Sequence, residues 1–222
     1  MSGPRIHGRF PGGFGWQARP DELMERSSTA LVHDGRVWLV DPLRADGVDA
    51  EIRSLGTVAA IVMTIGWHDR DVDWFAALYG VPVLAHRRLR LIDVRSPVER
   101  ICSAVPDSPF QVVDCSGRGL LGLWTETAIW WPEQRTLVTG DCLGNSAYFV
   151  APGERLAVHP IRLLSPPNQL RDLPAERLYP GHGTSVEQDA AAHILHATDT
   201  ATTDRPRAWL HSLRAAASRV AR

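Results

Sequence analysis

The chain contains no lysine, because all 24 of its basic residues are arginine. Schiff-base chemistry on a lysine is therefore excluded, and pyridoxal-phosphate catalysis with it. Only three cysteines occur, Cys102, Cys115 and Cys142. Their odd number argues against a disulfide framework, and none has the C-x-x-C spacing of a cysteine zinc site. We expect reduced, partly buried thiols.

Long apolar runs and large blocks of one charge are also missing. No segment approaches the roughly eighteen apolar residues of a membrane helix, and residues 1–15 lack the apolar core of a signal peptide. The net charge is -1, and the only basic cluster is the short stretch 86–90. The sequence therefore predicts a cytoplasmic protein with neither nucleic acid nor membrane as partner. It also lacks a Gly-x-Ser-x-Gly elbow and a phosphate-binding glycine-rich loop, which argues against a serine hydrolase or nucleotide enzyme.

What the chain does contain is a series of short strand patterns interrupted by helices. With 222 residues and 44% hydrophobic composition, it is expected to form a single domain over residues 1–222. Asp34-Gly35 predicts a tight hairpin turn, residues 58–64 a buried strand, and residues 71–79 a helix that ends at Gly80. A second hairpin is predicted over residues 128–139, and helices over 185–197 and 207–221. This order fits the α/β class, as an αββα four-layer sandwich.

Three strand ends carry residues with ligand chemistry. Thr64 precedes Ile65-Gly66-Trp67-His68-Asp69-Arg70-Asp71, and Gly140-Asp141 and Gly181-His182-Gly183 follow downstream. Over residues 30–196 this arrangement resembles the metallo-β-lactamase superfamily. That family carries a His-x-His-x-Asp-His motif after a strand-end threonine, and uses two metals, usually zinc, to hydrolyse esters, thioesters, amides or phosphodiesters.

The resemblance implies that all three ligands of the first metal are missing here. The family's three first-metal histidines correspond to Ile65, Trp67 and Leu123, which suggests conversion to apolar packing. The second metal would keep Asp69, Asp141 and His182 and lose one histidine, at Arg70. These three residues are the predicted ligands of one divalent ion, with zinc as first choice and iron or manganese as alternatives.

Two other interpretations stay open. A shift of the motif by one residue would make His68 and Asp71 the ligands in place of Asp69. Alternatively, the Arg70 guanidinium could neutralise Asp69 and Asp141 together, and no metal would then be needed.

The first functional hypothesis is a single-metal hydrolase of an ester or thioester, with His68 and Asp69 as catalytic residues. The alternative is a metal-free binding or scaffold protein that retains the fold. In either case the expected partner is a small-molecule substrate or ligand, and the oligomeric state is left open.

Residues beside the motif give further expectations. Strand alternation points Cys142 away from Asp141, which disfavours a Cys142-His182 nucleophile pair. Glu126 is either an exposed strand residue or a side chain that reaches the pocket. Tryptophans near the motif are interpreted as core residues or as an aromatic wall for an apolar substrate: Trp67, Trp124, Trp130 and Trp131.

Overall fold

The computed structural model describes residues 4–119, 122–162, 164–203 and 212. Its first sheet has seven strands whose spatial order follows the chain. These are β1 (Arg5–Phe10), β2 (Gly13–Gln17), β3 (Ser27–His33), β4 (Arg36–Val40), β5 (Thr57–Met63), β6 (Val83–His86) and β7 (Val98–Ile101). The first four strands pair antiparallel, whereas the pairs from β4 to β7 are parallel. Helices α1 (Val48–Leu55) and α2 (Val72–Tyr79) connect β4 to β5 and β5 to β6.

The second half of the chain forms a four-stranded sheet and two small pairs. Its strands are β8 (Gln111–Asp114), β9 (Gly117–Gly119), β10 (Gly122–Trp124), β11 (Thr127–Trp131), β12 (Thr136–Val138), β13 (Leu143–Gly144), β14 (Ala157–Val158) and β15 (Arg177–Tyr179). The sheet has the order β15-β12-β11-β8, while β9 pairs with β10 and β13 with β14. Short 3₁₀ helices cover Pro160–Arg162 and Asn168–Leu170, and α3 covers Ala190–Thr200.

Three apolar clusters define the layers. Ile52 of α1 and Phe75 of α2 pack on the outer face of the first sheet, and Ile194 of α3 packs on the outer face of the second. Between the sheets, Trp38 meets Phe110 edge-on, with ring centroids 5.1 Å apart. The order of layers is therefore helix, sheet, sheet, helix, and the predicted αββα sandwich is confirmed.

The strongest local patterns are also confirmed. Asp34 and Gly35 both have positive φ, 49° and 72°, as a type I′ turn requires between directly paired strands. The predicted buried strand is β5, the predicted helix is α2, and the second hairpin is β11 with β12.

Other elements differ from the prediction. The first tail helix begins at Ala190, five residues later than predicted, and the second, over 207–221, falls almost entirely outside the described residues. Strands β1 and β2 were not predicted, because their segment is rich in glycine and has no regular apolar alternation. No helix in the described part of the chain has the length and apolar character of a membrane-spanning segment.

Candidate metal centre

The strand ends singled out in the sequence meet at one edge of the two sheets. Thr64 follows β5, and its carbonyl accepts a hydrogen bond of 2.8 Å from the Thr127 amide of β11. The segments after β12 and β15 carry Asp141 and His182, and the Gly181 amide donates to the Gly140 carbonyl at 3.0 Å. Parallel pairing of β12 with β15 brings these two ends together.

The glycines before Asp141 and His182 are required by close packing. A Cβ on Gly140 would lie 2.5 Å from the Thr64 hydroxyl oxygen, and one on Gly181 would lie 2.5 Å from the Gly140 carbonyl oxygen. Both distances are shorter than real Cβ contacts allow. Glycine at these two positions therefore lets the strand ends approach closely enough for their next side chains to touch.

Three buried side chains converge at this edge: His68, Asp141 and His182. The Nε2 atoms of His68 and His182 lie 2.7 and 2.8 Å from the same oxygen, Oδ1 of Asp141. One ligand-type atom from each residue lies within 4.8 Å of the other two. Among the described residues, no other group of three or more His, Cys, Asp or Glu side chains has the geometry to hold one metal ion.

The other nitrogen of each imidazole already has a fixed partner. His68 Nδ1 lies 2.9 Å from Oδ2 of Asp41, and His182 Nδ1 lies 2.9 Å from the Met24 carbonyl oxygen. Both partners are acceptors, so each Nδ1 carries the proton. In the neutral rings, both Nε2 lone pairs then point at a carboxylate oxygen.

Three acceptors facing one another need a positive species between them. That species is either a proton on each Nε2 or a cation shared by all three. Two imidazoles and one carboxylate are also the number and kind of protein ligands found in catalytic zinc sites, which leave a fourth position open. An imidazole whose far nitrogen is bound by a carboxylate or carbonyl is the usual outer arrangement of such sites. The donor set therefore fits a divalent ion.

The charges at the cluster shift its pKa values in opposite directions. Burial opposes ionisation of Asp141, but His68 and His182 outweigh burial and hold the pKa of this carboxyl well below its ordinary value. Burial and the neighbouring Arg70 lower the pKa of His68, but Asp141 and Asp41 outweigh them and raise it above its ordinary value. The cluster thus stabilises positive charge on the His68 imidazole beside an ionised Asp141 carboxylate.

Arg70 lies next to the cluster but does not bridge its acids. Its guanidinium donates to the carbonyls of Ser27, Asp41 and Gly181, the last two at 3.0 and 3.1 Å. One nitrogen also lies 3.2 Å from His68 Nε2. Arg70 has a positive φ of 37°, which is uncommon for a residue with a side chain. This guanidinium does not make the predicted bidentate contact to Asp69 and Asp141.

Asp141 is held from its other side by Trp67. The indole Nε1 of Trp67 donates to Oδ2 of Asp141 at 2.7 Å, so Oδ1 is left to face the two histidines. The Trp67 ring meets Trp124 edge-on, with centroids 4.9 Å apart. Trp124 donates in turn to Glu126 at 2.6 Å.

Glu126 is fully buried and joins the site to a second buried charge. Its Oε1 accepts the Cys142 amide at 2.9 Å, and Oε2 lies 3.6 Å from Nη1 of Arg162, which is also fully buried. Burial raises the pKa of Glu126, although Arg162 opposes the shift. The expectation of an exposed strand residue is therefore wrong, and Glu126 contacts the pocket wall through Trp124 without lining the pocket itself.

A pocket of about 330 Å³ opens beside Asp141. Trp67, Trp124, Leu123 and Ile161 form its apolar walls, and His159 lies against it. Burial lowers the pKa of His159 to about 4, and its ring packs against Phe149 with centroids 5.0 Å apart.

The structure brings together only some of the predicted site residues. Asp141 and His182 meet as predicted, but the sequence placed Asp69 among the ligands and the structure does not. The Asp69 side chain lines a separate surface groove with Asp73 and Asp93, because the turn after Thr64 directs His68 inward and its neighbour outward. Asp71, the partner proposed with His68 for a shifted motif, instead accepts the Arg44 amide at 2.7 Å.

The three positions where the family's first-metal histidines are missing differ in their exposure to solvent. Ile65 is fully buried, as apolar packing predicts, whereas Leu123 is 79% exposed and Trp67 is 39% exposed. Apolar packing therefore describes only Ile65. Cys142 lies in the cluster beneath the second sheet, on the face opposite the site that alternation predicts. The three cysteines are free, and two of them are buried.

Asp41 is a residue of the candidate site that sequence reasoning missed. The sequence predicts no role for it, but its carboxylate accepts the Thr64 amide at 3.0 Å and the Thr64 hydroxyl, and contacts His68. The available signal was an aspartate directly after a buried strand that neighbours β5.

The order of layers and the position of the candidate site define the class of fold. The chain has the metallo-β-lactamase fold, with a candidate metal centre at the edge where its two sheets meet. No family model matches the sequence, and no curated protein is significantly similar to it.

Solved structures of metallo-β-lactamases match the fold over most of the chain. TMB-1 has a TM-score of 0.64 at 15% identity and covers 91% of this chain and 100% of its own. DIM-1 exposed to ceftazidime has a TM-score of 0.62 at 14% identity, with coverages of 90% and 99%. FIM-1 from Pseudomonas aeruginosa, in its mono-zinc form, has a TM-score of 0.60 at 14% identity, with coverages of 90% and 97%.

Proposed function

We propose that this protein is a hydrolase that uses one divalent metal ion, zinc by preference, held by His68, Asp141 and His182. The observation that carries the proposal is the convergence of both Nε2 atoms on Asp141 Oδ1, at 2.7 and 2.8 Å, while each Nδ1 is committed elsewhere. The mono-zinc form of FIM-1 supports it, since a protein of this fold can hold a single zinc.

A divalent ion at this position would supply Lewis acidity, which makes water a nucleophile near neutral pH and polarises a carbonyl oxygen. The protein's own residues set the geometry. Asp41 and the Met24 carbonyl fix the tautomers of the two histidines, and Trp67 fixes the carboxylate of Asp141. The reaction we propose adds water to the carbonyl carbon and breaks the C–O or C–S bond, so the alcohol or thiol leaves with a proton and the acid remains.

We favour an ester or thioester over a phosphodiester. Phosphodiester cleavage gains most from two metals that stabilise the attacking and the leaving oxygen together, and the described residues form one three-ligand cluster. We further propose a small-molecule substrate and a cytoplasmic location.

The test is elemental analysis of protein purified without an affinity metal column, compared with two histidine variants. We expect about one equivalent of metal in the native protein, loss of metal in His182→Ala, and full metal content in His193→Ala. His193 lies on α3 and offers a matched change of the same residue outside the cluster. Metal retained by His182→Ala would reject the proposed ligand set.

A second candidate is a metal-free binding protein. The observation that favours it is the Arg70 nitrogen 3.2 Å from His68 Nε2, because a guanidinium there can donate to the same atom that a metal would bind. If the native protein takes up no zinc, iron or manganese after incubation and hydrolyses no ester, this second candidate replaces the first.

A further inference from the structure

The pocket beside Asp141 has an unusual chemical surface, because the indole donors of its two tryptophan walls are already used. The indole N–H of Trp67 is bound to Asp141 at 2.7 Å and that of Trp124 to Glu126 at 2.6 Å. His159 Nδ1 accepts the Ile161 amide at 3.1 Å, so the single donor of its neutral ring is Nε2–H. The two tryptophans therefore present carbon surface to the pocket.

The remaining wall is small or aliphatic. Gly119 and Gly122 contribute no side chain, and Leu123 and Ile161 contribute only carbon. The acidic side chain in the lining is Asp141, and no arginine is among the described residues that line the pocket. A ligand portion that carries an anion would meet no cationic side chain there, and a strongly polar one would lose most of its hydrogen bonds to water without replacement.

The tryptophan walls are also held in place. Their rings meet at 90° with centroids 4.9 Å apart, and each ring is fixed at its nitrogen by a buried carboxylate. The Ile161 side chain closes the other side, only 3.4 Å from where a Cβ on Gly119 would lie. A pocket with fixed walls selects ligands by size.

We infer that this pocket binds the uncharged, apolar acyl group of the substrate and places its carbonyl at the His68-Asp141-His182 cluster. The inference rests on the proposed function for the identity of the bond that is cleaved. The volume of about 330 Å³ corresponds to about ten water-sized groups. The longest acyl chain that fits therefore has about ten carbons.

Turnover tests the inference with a series of p-nitrophenyl esters from acetate to dodecanoate and zinc-loaded protein. Each methylene group added inside the pocket raises kcat/KM about fourfold, up to the optimum length, and longer chains lose rate. In Ile161→Trp, the larger ring fills the pocket, so the ratio of kcat/KM for octanoate to that for acetate falls at least about tenfold. Leu195→Trp places the same ring on the exposed part of α3 and leaves the ratio unchanged.

Binding without chemistry gives an independent readout. Metal-free protein is titrated with 1-hexanol and with hexanoate while the indole N–H signals are followed by NMR, with those of Trp67 and Trp124 assigned from Trp→Phe variants. Hexanol is expected to shift both signals, hexanoate to shift neither, and Ile161→Trp to abolish the response to hexanol.

The two experiments separate the two proposals. Hexanol binding at these tryptophans without ester turnover would leave the pocket assignment standing and reject the hydrolase. Turnover that is insensitive to chain length and to Ile161→Trp would keep the hydrolase and overturn the pocket assignment. Equal shifts with hexanoate and hexanol would also overturn it, because the pocket would then not discriminate against a negative charge.

Discussion

The buried pair of Glu126 and Arg162 predicts a large and asymmetric response to mutation. Both side chains are fully buried, and their charged atoms are 3.6 Å apart, longer than a hydrogen bond. Arg162 Nε and Nη1 have no hydrogen-bond partner among the described residues, and Nη2 donates to the Ser165 carbonyl at 3.1 Å. The guanidinium is therefore desolvated, and Glu126 is its main electrostatic compensation.

Glu126→Gln removes that compensation and keeps the size of the side chain. Because the change leaves a buried charge unpaired, it is expected to lower the free energy of unfolding by about 3–5 kcal/mol. The amide oxygen of Gln still accepts one of the two hydrogen bonds that Glu126 receives, from Trp124 and Cys142, and the loss of the other adds about 1 kcal/mol to the electrostatic cost. Adding Arg162→Met removes the unpaired charge and is expected to restore stability to within about 1 kcal/mol of the native protein, or above it.

The assay is urea unfolding of the native protein, both single variants and the double variant, combined as a double-mutant cycle. A loss below about 1 kcal/mol for Glu126→Gln would refute the reasoning, because it would mean that Glu126 carries no charge in the fold. A double variant as unstable as Glu126→Gln would equally refute it, since the unpaired guanidinium would then not be the source of the cost.

The remaining predictions concern the outer contacts of the site and the N-terminal strands. Asp41→Asn keeps the shape but removes the charge behind His68, so zinc affinity should fall about 10- to 100-fold in a chelator competition; unchanged affinity would remove Asp41 from the site. Trp67→Phe should weaken zinc binding in the same assay by less than Asp41→Asn does, because it removes a single neutral donor from Asp141; a larger loss would contradict this ranking. Burial and Arg5 lower the pKa of His7 to about 4, so its neutral ring stabilises the fold above the ordinary pKa of 6.5, and this stability is lost as pH falls from 6.5 toward 4. Between pH 7 and pH 5 the contribution is about 2 kcal/mol, and urea unfolding of His7→Asn should show a correspondingly weaker pH dependence; an equal dependence would exclude His7 as its source.

Most of the fold could be predicted because its signals are local. The Asp34-Gly35 turn, the apolar run of β5 and the helical spacing of α2 each depend on a few consecutive residues. The order of these elements then limited the architectures that could bury every apolar face. Strands β1 and β2 escaped prediction, because long-range pairing with β3 stabilises them and no local apolar alternation marks them.

The site residues could be predicted only where close packing of the backbone requires a glycine beside them. Gly140 and Gly181 are needed for close approach, and they pointed to Asp141 and His182 directly. Asp41 contacts Thr64 and His68, which lie 23 and 27 residues further along the chain. Glu126 contacts Cys142, which lies 16 residues further along. Such contacts depend on how the strands are assembled, and no short motif records them.

The register after Thr64 is the step that sequence could not settle, since His68 and Asp69 are adjacent and both have ligand chemistry. In the structure the Thr64 amide and hydroxyl bind Asp41, and this same carboxylate captures His68 at 2.9 Å. Asp69 is thereby directed to the groove with Asp73. His68→Ala is therefore expected to abolish zinc binding, whereas Asp69→Ala should leave the zinc stoichiometry and affinity unchanged. Both variants are measured by elemental analysis and chelator competition, with circular dichroism to establish that each is folded. If Asp69→Ala lost the metal and His68→Ala retained it, the chain would bind zinc with the register that the family motif implies, and the arrangement around Asp41 would not be the one that forms the site.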